Sequence, residues 1–282
     1  MRPLRLSTLL LISFIVPATC LADIEPANSK QAIRFGMLPF VSTHKLVKLF
    51  LPLKKYLENE LHRPVKLVTA PNYREYLQRS LDGEYDIYHT APHFAVLAEL
   101  EYGHRRLSRY SRSLDGSILV LKNGPVKSIK DLKGKTMITP DRLAIITMLG
   151  EVLVKENGLQ AGKDITVRHA SSHANAILSV AKGKVDAAVV SASVFEKMPE
   201  GGKSKLIILT KTRKVPNVMF MASPKLPEKD YRAARKAMLN FTATDPGKAY
   251  FAKASQKAMS GITDENINTL RPYVKILKTR LE

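Results

Sequence analysis

The segment Tyr73-Arg74-Glu75-Tyr76-Leu77-Gln78-Arg79-Ser80-Leu81-Asp82-Gly83-Glu84-Tyr85-Asp86 returns in outline 100 residues later as His173-Ala174-Asn175-Ala176-Ile177-Leu178-Ser179-Val180-Ala181-Lys182-Gly183-Lys184-Val185-Asp186. Tyr73 aligns with His173, Leu77 with Ile177, Leu81 with Ala181, Gly83 with Gly183 and Asp86 with Asp186. In each copy apolar residues recur at helical spacing, a Gly ends the helix, and an Asp opens an apolar strand. One alternative stays open, since any two βαβ units look alike at their helix ends. The offset itself predicts two similar α/β lobes. Such lobes place helix N-termini around a shared cleft at the carboxyl ends of their strands.

Outward from the repeat the same rhythm continues. Strands are predicted at 32–38, 65–69 and 86–88, with helices at 73–81 and 92–101. Leu46, Phe50, Leu53, Leu57 and Leu61 predict a helix that Pro52 kinks or begins. The second round has strands at 135–139, 165–169 and 185–190 and helices at 143–156 and 173–181, with Gly158 as a helix stop. Strands at 117–122, 205–209 and 218–222 follow the same patterning, and Asn123-Gly124-Pro125 marks a turn. The C-terminal part is helical, with Tyr231, Ala234, Met238 and Phe241 on one face and Thr263 capping a last helix. The expected organisation is a first lobe over 23–120, a second over 121–217 and a return to the first over 218–282. Two crossings make a hinge, and a hinge implies closure on a ligand.

The chain has 282 residues, 45% hydrophobic and 25% charged, which suits a globular protein of about two domains. That composition excludes a largely disordered chain, a coiled coil and a polytopic membrane protein. The net charge of +20 leaves three partners open: an anionic small molecule, an anionic membrane surface, or nucleic acid. Trp is absent and no arginine–aromatic motif stands out, so no nucleic-acid partner is expected.

Arg2 and Arg5 precede an apolar run from Leu9 to Val16, and small residues follow up to Ala22. These are the parts of a secretory signal over 1–22, too short to span a bilayer, with cleavage near Ala22 and export to the periplasm. The only cysteine, Cys20, lies inside this segment. Cleavage after Ala22 removes every thiol; lipidation of Cys20 is the rival reading, disfavoured by Pro17 and Thr19 at the positions before it.

Catalytic motifs are missing. Lys133-Gly134-Lys135-Thr136 ends like a phosphate-binding loop, but Ile129 stands where that loop needs Gly. There is no Gly-x-Ser-x-Gly elbow and no His-Glu-x-x-His. His89 and His93 are four apart, yet Pro92 at a helix start spoils the pairing, so no metal is expected. Neither an enzyme nor a cofactor is therefore predicted. What remains is a set of loops that enter helices: 69–73, His89-Thr90-Ala91-Pro92, 139–147 and 170–173. Helix starts carry unpaired N–H groups and suit an anion. Tyr73 offers a ring or a hydroxyl to a ligand, and His173 offers a donor to an oxyanion.

Several motifs in this order resemble one family, the phosphate/phosphite/phosphonate-binding periplasmic proteins of ABC transporters, which are type II substrate-binding proteins. They are Gly36-Met37-Leu38-Pro39, Pro52-Leu53-Lys54-Lys55-Tyr56-Leu57-Glu58, Asn72-Tyr73, Gly83-x-x-Asp86, Ala91-Pro92, Ile129-Lys130-Asp131-Leu132-Lys133-Gly134-Lys135, Ser172-His173, Gly183-Lys184-Val185-Asp186-Ala187 and Val215-Pro216-Asn217. The resemblance runs from about residue 33 to 277. It implies a two-lobed α/β protein with a two-crossing hinge that captures a small oxyanion and presents it to a membrane permease. It carries over Tyr73, His173 and Asp186 as ligand-binding residues. Where the family has Ser-Thr-Ser-Gly, this chain has Asp141-Arg142-Leu143-Ala144-Ile145-Ile146-Thr147. Thr147 alone keeps a hydroxyl, and Arg142 is placed as a substitute anion clamp. The family's hinge Tyr is Asp115 here.

The sequence therefore predicts a monomeric periplasmic solute-binding protein for a small anionic ligand, phosphonate-like or a more apolar oxyanion. Two other outputs stay open: presenting the ligand to a membrane sensor kinase, or binding anionic envelope lipid or polymer through a mature charge of about +18.

Overall fold

The structure, a computed structural model, describes residues 31–282. The expected leader over 1–22 and Cys20 lie outside the described residues. In chain order the first elements are β1 (Ile33–Met37), α1 (Thr43–Leu61), β2 (Val65–Val68), α2 (Tyr73–Leu81), β3 (Ile87–Thr90), α3 (Pro92–Tyr102), β4 (Arg105–Tyr110), β5 (Ser113–Leu114) and β6 (Gly116–Leu121). Next come β7 (Thr136–Thr139), α4 (Ile145–Glu156), β8 (Thr166–His169), α5 (His173–Ala181), β9 (Ala187–Ser191), α6 (Ala192–Glu196), α7 (Glu200–Lys203) and β10 (Leu206–Lys211). The chain ends with β11 (Val215–Pro216), β12 (Met219–Ala222), α8 (Glu228–Phe241), α9 (Asp245–Ala254), β13 (Met259–Ser260) and α10 (Asp264–Leu281).

Two sheets result. The first has the order β13-β4-β12-β3-β1-β2 and the second β10-β6-β9-β7-β8. In the first, β1 lies parallel to both β2 and β3; in the second, β7 lies parallel to both β8 and β9. The repeat seen in the sequence is thus two βαβαβ units, each extended by antiparallel strands. Side chains alternate across β9 in strand fashion. Val189 packs on the face of Met148 and Leu149 from α4, while Ala188 and Val190 pack with Ile177 and Val180 from α5. Helices on both faces explain why this strand is buried at every position and apolar up to Ser191.

The Gly-x-x-Asp element does the same work in both sheets. Gly83 and Gly183 take φ of +68° and +65°, the left-handed turn that ends a helix without a Cβ clash. The carboxylate of Asp86 then accepts the Arg34 N–H at 2.7 Å, and that of Asp186 accepts the Thr136 N–H at 2.8 Å. In return the Asp86 N–H donates to the Arg34 carbonyl and the Asp186 N–H to the Thr136 carbonyl.

The two connectors β5 and β11 pair antiparallel, Leu114 with Val215 and Ser113 with Pro216. The strand Gly116–Leu121 bonds β9 and β10 and belongs to the second sheet. The first crossing is therefore at Ser113–Leu114 rather than near residue 120. The chain passes back from the second sheet to the first through Val215–Pro216, between β10 and β12. Helices α8 and α9 pack on α1, whereas α10 packs on α3 and also reaches α4.

Pro52 does not begin a helix: α1 runs through it from Thr43 to Leu61. Proline leaves the carbonyl four residues back without its helical donor. That carbonyl, on Lys48, accepts the Lys253 ammonium at 3.5 Å. Among the described residues no helix is long and apolar enough to cross a membrane.

Candidate functional site

Both parallel units end their strands at one cavity of about 340 Å³. The first sheet contributes Leu38 after β1, His89 on β3 and Tyr110 at the end of β4, with Tyr73 and Ala91-Pro92 at the starts of α2 and α3. The second contributes Ala144, Ile145 and Ile146 at the start of α4, His173 at the start of α5, and Ser191 at the end of β9. The location follows from topology, because helices that follow parallel strands begin at the strands' carboxyl edge.

The four helix starts differ in one respect. Asn72 Oδ1 accepts the Glu75 N–H at 2.8 Å and caps α2, and Ser172 Oγ accepts the Asn175 N–H at 3.2 Å and caps α5. Helices α3 and α4 begin at Ala91 and Ala144, which have no side-chain oxygen, and neither has a side-chain cap. Both line the cavity. The His93 and Phe94 N–H groups of α3, whose first residue Pro92 has none, and the Ile145 and Ile146 N–H groups of α4 are thus without a side-chain cap, at the positive ends of the two dipoles.

His173 is partly buried, and the Ser191 N–H donates to its Nδ1 at 3.2 Å. An accepting Nδ1 places the ring proton on Nε2. Burial pushes its pKa down to about 4, so the ring is neutral at pH 7. Tyr73 packs edge-on against Phe94 at 6.1 Å. Burial first, and then the Asp141 charge, raise its phenol, which stays a protonated donor. His89 is only 2% exposed and sits among Phe40, Phe50, Tyr110 and Phe220. Its Nδ1 is buried without a partner, and burial lowers its pKa to about 3.

Four residues expected at the site lie elsewhere. Thr90 is fully buried beside His89 and does not line the cavity. Thr147 turns its hydroxyl back to the Asp141 carbonyl at 2.9 Å, where it closes the loop before α4. Arg142 points away, its guanidinium donating to the Arg280 carbonyl of α10 at 3.1 Å. Asp186 sits at the amino end of β9, the opposite end from the cavity, bonded to Thr136. Nor do His89 and His93 pair. His93 bonds the Leu143 carbonyl through Nε2 at 2.9 Å, linking α3 to the loop before α4.

Other residues enter the site that patterning had not singled out. The end of α9 brings Lys253, Ala254, Ser255 and Gln256 to the cavity, and α6 brings Ser193, Val194 and Lys197. Lys197 donates to the Lys253 carbonyl at 3.0 Å, so the two segments meet across the mouth. Neither lysine has a carboxylate partner among the described residues.

Comparison with known proteins places this geometry. Solved structures of the same fold include PhnD1 from Prochlorococcus marinus in complex with methylphosphonate, with a TM-score of 0.77 at 18% identity over 88% of this chain and 98% of that one. A binding protein component of an ABC phosphonate transporter from Pseudomonas aeruginosa gives a TM-score of 0.74 at 16% identity, covering 89% of this chain and 95% of that one. The periplasmic aliphatic sulphonate binding protein SsuA from Escherichia coli gives 0.61 at 16% identity, covering 89% and 88%. The family described as ABC transporter, phosphonate, periplasmic substrate-binding protein matches residues 35–267. With most of its length matched, the chain belongs to this family of periplasmic substrate-binding proteins of phosphonate ABC transporters.

Proposed function

We propose that this chain captures one small organic oxyanion in the cavity between its sheets and closes over it, presenting the loaded form to a membrane permease. The observation that carries this reading is the pair of uncapped helix starts, α3 from one sheet and α4 from the other, on one cavity. An anion there takes up N–H groups from both lobes at once, and its differential affinity for the closed form drives closure. Tyr73 and the Nε2 proton of His173 are its side-chain donors. His89 acts from the floor of the cavity as an uncharged ring. Export by the leader over 1–22 and action as a monomer complete the proposal.

A thermal-shift panel on the exported chain tests it. Phosphate, phosphite, alkylphosphonates, alkylsulfonates and carboxylates are compared with neutral analogues. Ligand at 100 times its Kd adds about 2.7 kcal/mol, several degrees for a chain of this size. A shift with at least one oxyanion class, absent for its neutral analogue, is expected. Equal shifts with charged and neutral compounds, or none at all, overturn the reading.

A further inference from the structure

Resting on that reading, we infer that the oxyanion carries an uncharged apolar arm, and that the cavity walls formed by Leu38, Phe40, Leu49, Tyr110 and Val218 hold the arm. Three observations converge on this. The first is size. A methylphosphonate-sized anion has five non-hydrogen atoms and at roughly 20–30 Å³ each fills under half of the cavity of about 340 Å³. The second is the chemistry of the wall. Phe40, Leu49 and Val218 are partly buried apolar side chains packed on the first-lobe core and turned to the cavity. Tyr110 bonds its hydroxyl to that of Tyr250 at 2.5 Å, so it shows the cavity a ring and no free polar group. His89 beneath them is uncharged and enclosed by aromatic rings.

The third observation is charge. Among the described residues no Asp or Glu lines the cavity, whereas Lys197 and Lys253 stand at its mouth. An ammonium group on the arm meets no carboxylate and two like charges. The arm is therefore alkyl or aryl, and aminoalkyl oxyanions are selected against. The starts of α3 and α4 and the His173 ring supply donors, and Leu49 of α1, Tyr110 of β4 and Val218 before β12 supply apolar wall.

Isothermal titration of the exported chain decides the matter. Methyl-, propyl-, butyl- and phenylphosphonate, 2-aminoethylphosphonate, and the sulfonates and carboxylates of matching length are titrated. Burying a methylene is worth about fourfold in affinity, so for the head that binds, butyl exceeds methyl by roughly 10- to 60-fold. The 2-aminoethyl compound binds at least about tenfold more weakly than propyl, its near isostere. Leu49→Ala thins the apolar wall and reduces the gain from methyl to butyl, read as the ratio of the two affinities within the same variant. Affinity that is flat from methyl to butyl overturns the arm and leaves oxyanion capture standing, as does tightest binding of the 2-aminoethyl compound. No binding of any head group overturns both. The wild-type series settles the question even if the variant fails to fold.

Discussion

Arg142 and Arg280 each donate a guanidinium hydrogen bond to the other's backbone carbonyl. Arg280 also pairs with Glu151 on α4. Arg74 on α2 donates to the carbonyls of Arg280 and Leu281, both at 2.9 Å. The last turn of α10 is thereby tied to helices of both sheets. We expect Arg280→Ala to cost about 1–3 kcal/mol of stability, because a partly buried charge-assisted pair is lost. Urea unfolding measures this. A midpoint unchanged from wild type would show the exchange to be idle.

Asp86 and Asp186 are matched in the same way by their carboxylate bonds to the neighbouring strand. We expect Asp186→Ala to lower stability by about 1–3 kcal/mol and leave ligand affinity within twofold of wild type. Titration of the folded variant checks this. A tenfold loss of affinity at normal stability would return Asp186 to the binding residues.

His173 is expected to behave in the opposite way. His173→Ala removes an Nε2 donor at the cavity and leaves the Ser191 N–H without its acceptor. A loss of roughly 5- to 100-fold in affinity is expected, following the cost of an unmade hydrogen bond to a charged group. The check is Kd for whichever oxyanion the panel identifies. His173→Gln, which keeps a donor, recovers part of the loss.

Acid sensitivity follows from four histidines, His89, His93, His104 and His173, whose protonation burial disfavours. Burial lowers His89 and His93 to about 3 and His173 to about 4, against an ordinary value of 6.5. Below 6.5 the unfolded chain binds protons at these sites that the folded chain refuses, so stability falls as pH drops. The loss begins near pH 6.5 and runs to about pH 4 for His173 and about pH 3 for His89 and His93. Each contributes about 1.4 kcal/mol per pH unit at most. Denaturation midpoints between pH 7 and 4 measure the slope. His93→Phe, which also gives up the bond to Leu143, flattens it by one residue's share.

The parts of this molecule that could be read from the sequence are those whose causes are local. Gly83 and Gly183 end helices because the turn needs positive φ, and the Asp three residues on locks the next strand; both leave a spacing that repeats. Tyr73 and His173 begin helices, and helix starts meet at the cavity for reasons of topology. Asp186 was misplaced because a carboxylate at a strand start has the same sequence signature whether it binds a ligand or a neighbouring strand. Strand β4 escaped notice because Arg105, Arg106 and Arg109 break its apolar alternation. Their partners Glu228, Glu99 and Asn266 come from distant or helical segments. Arg142 has its partner 138 residues away, and Lys253 reaches the mouth only because α9 packs on α1. No local pattern records such distances.

The two uncapped helix starts have a further consequence for the empty protein. Each carries about half a positive elementary charge, and both look into the same cavity from opposite sheets. If the chain closes as proposed, closing without an anion brings two like partial charges together, which opposes shutting. The cargo is its own counter-ion and its own latch. A neutral molecule of the same shape fills the space without relieving that repulsion, and so leaves the jaws ajar. On the proposed function, a surface that fits the closed form can then tell full from empty by shape.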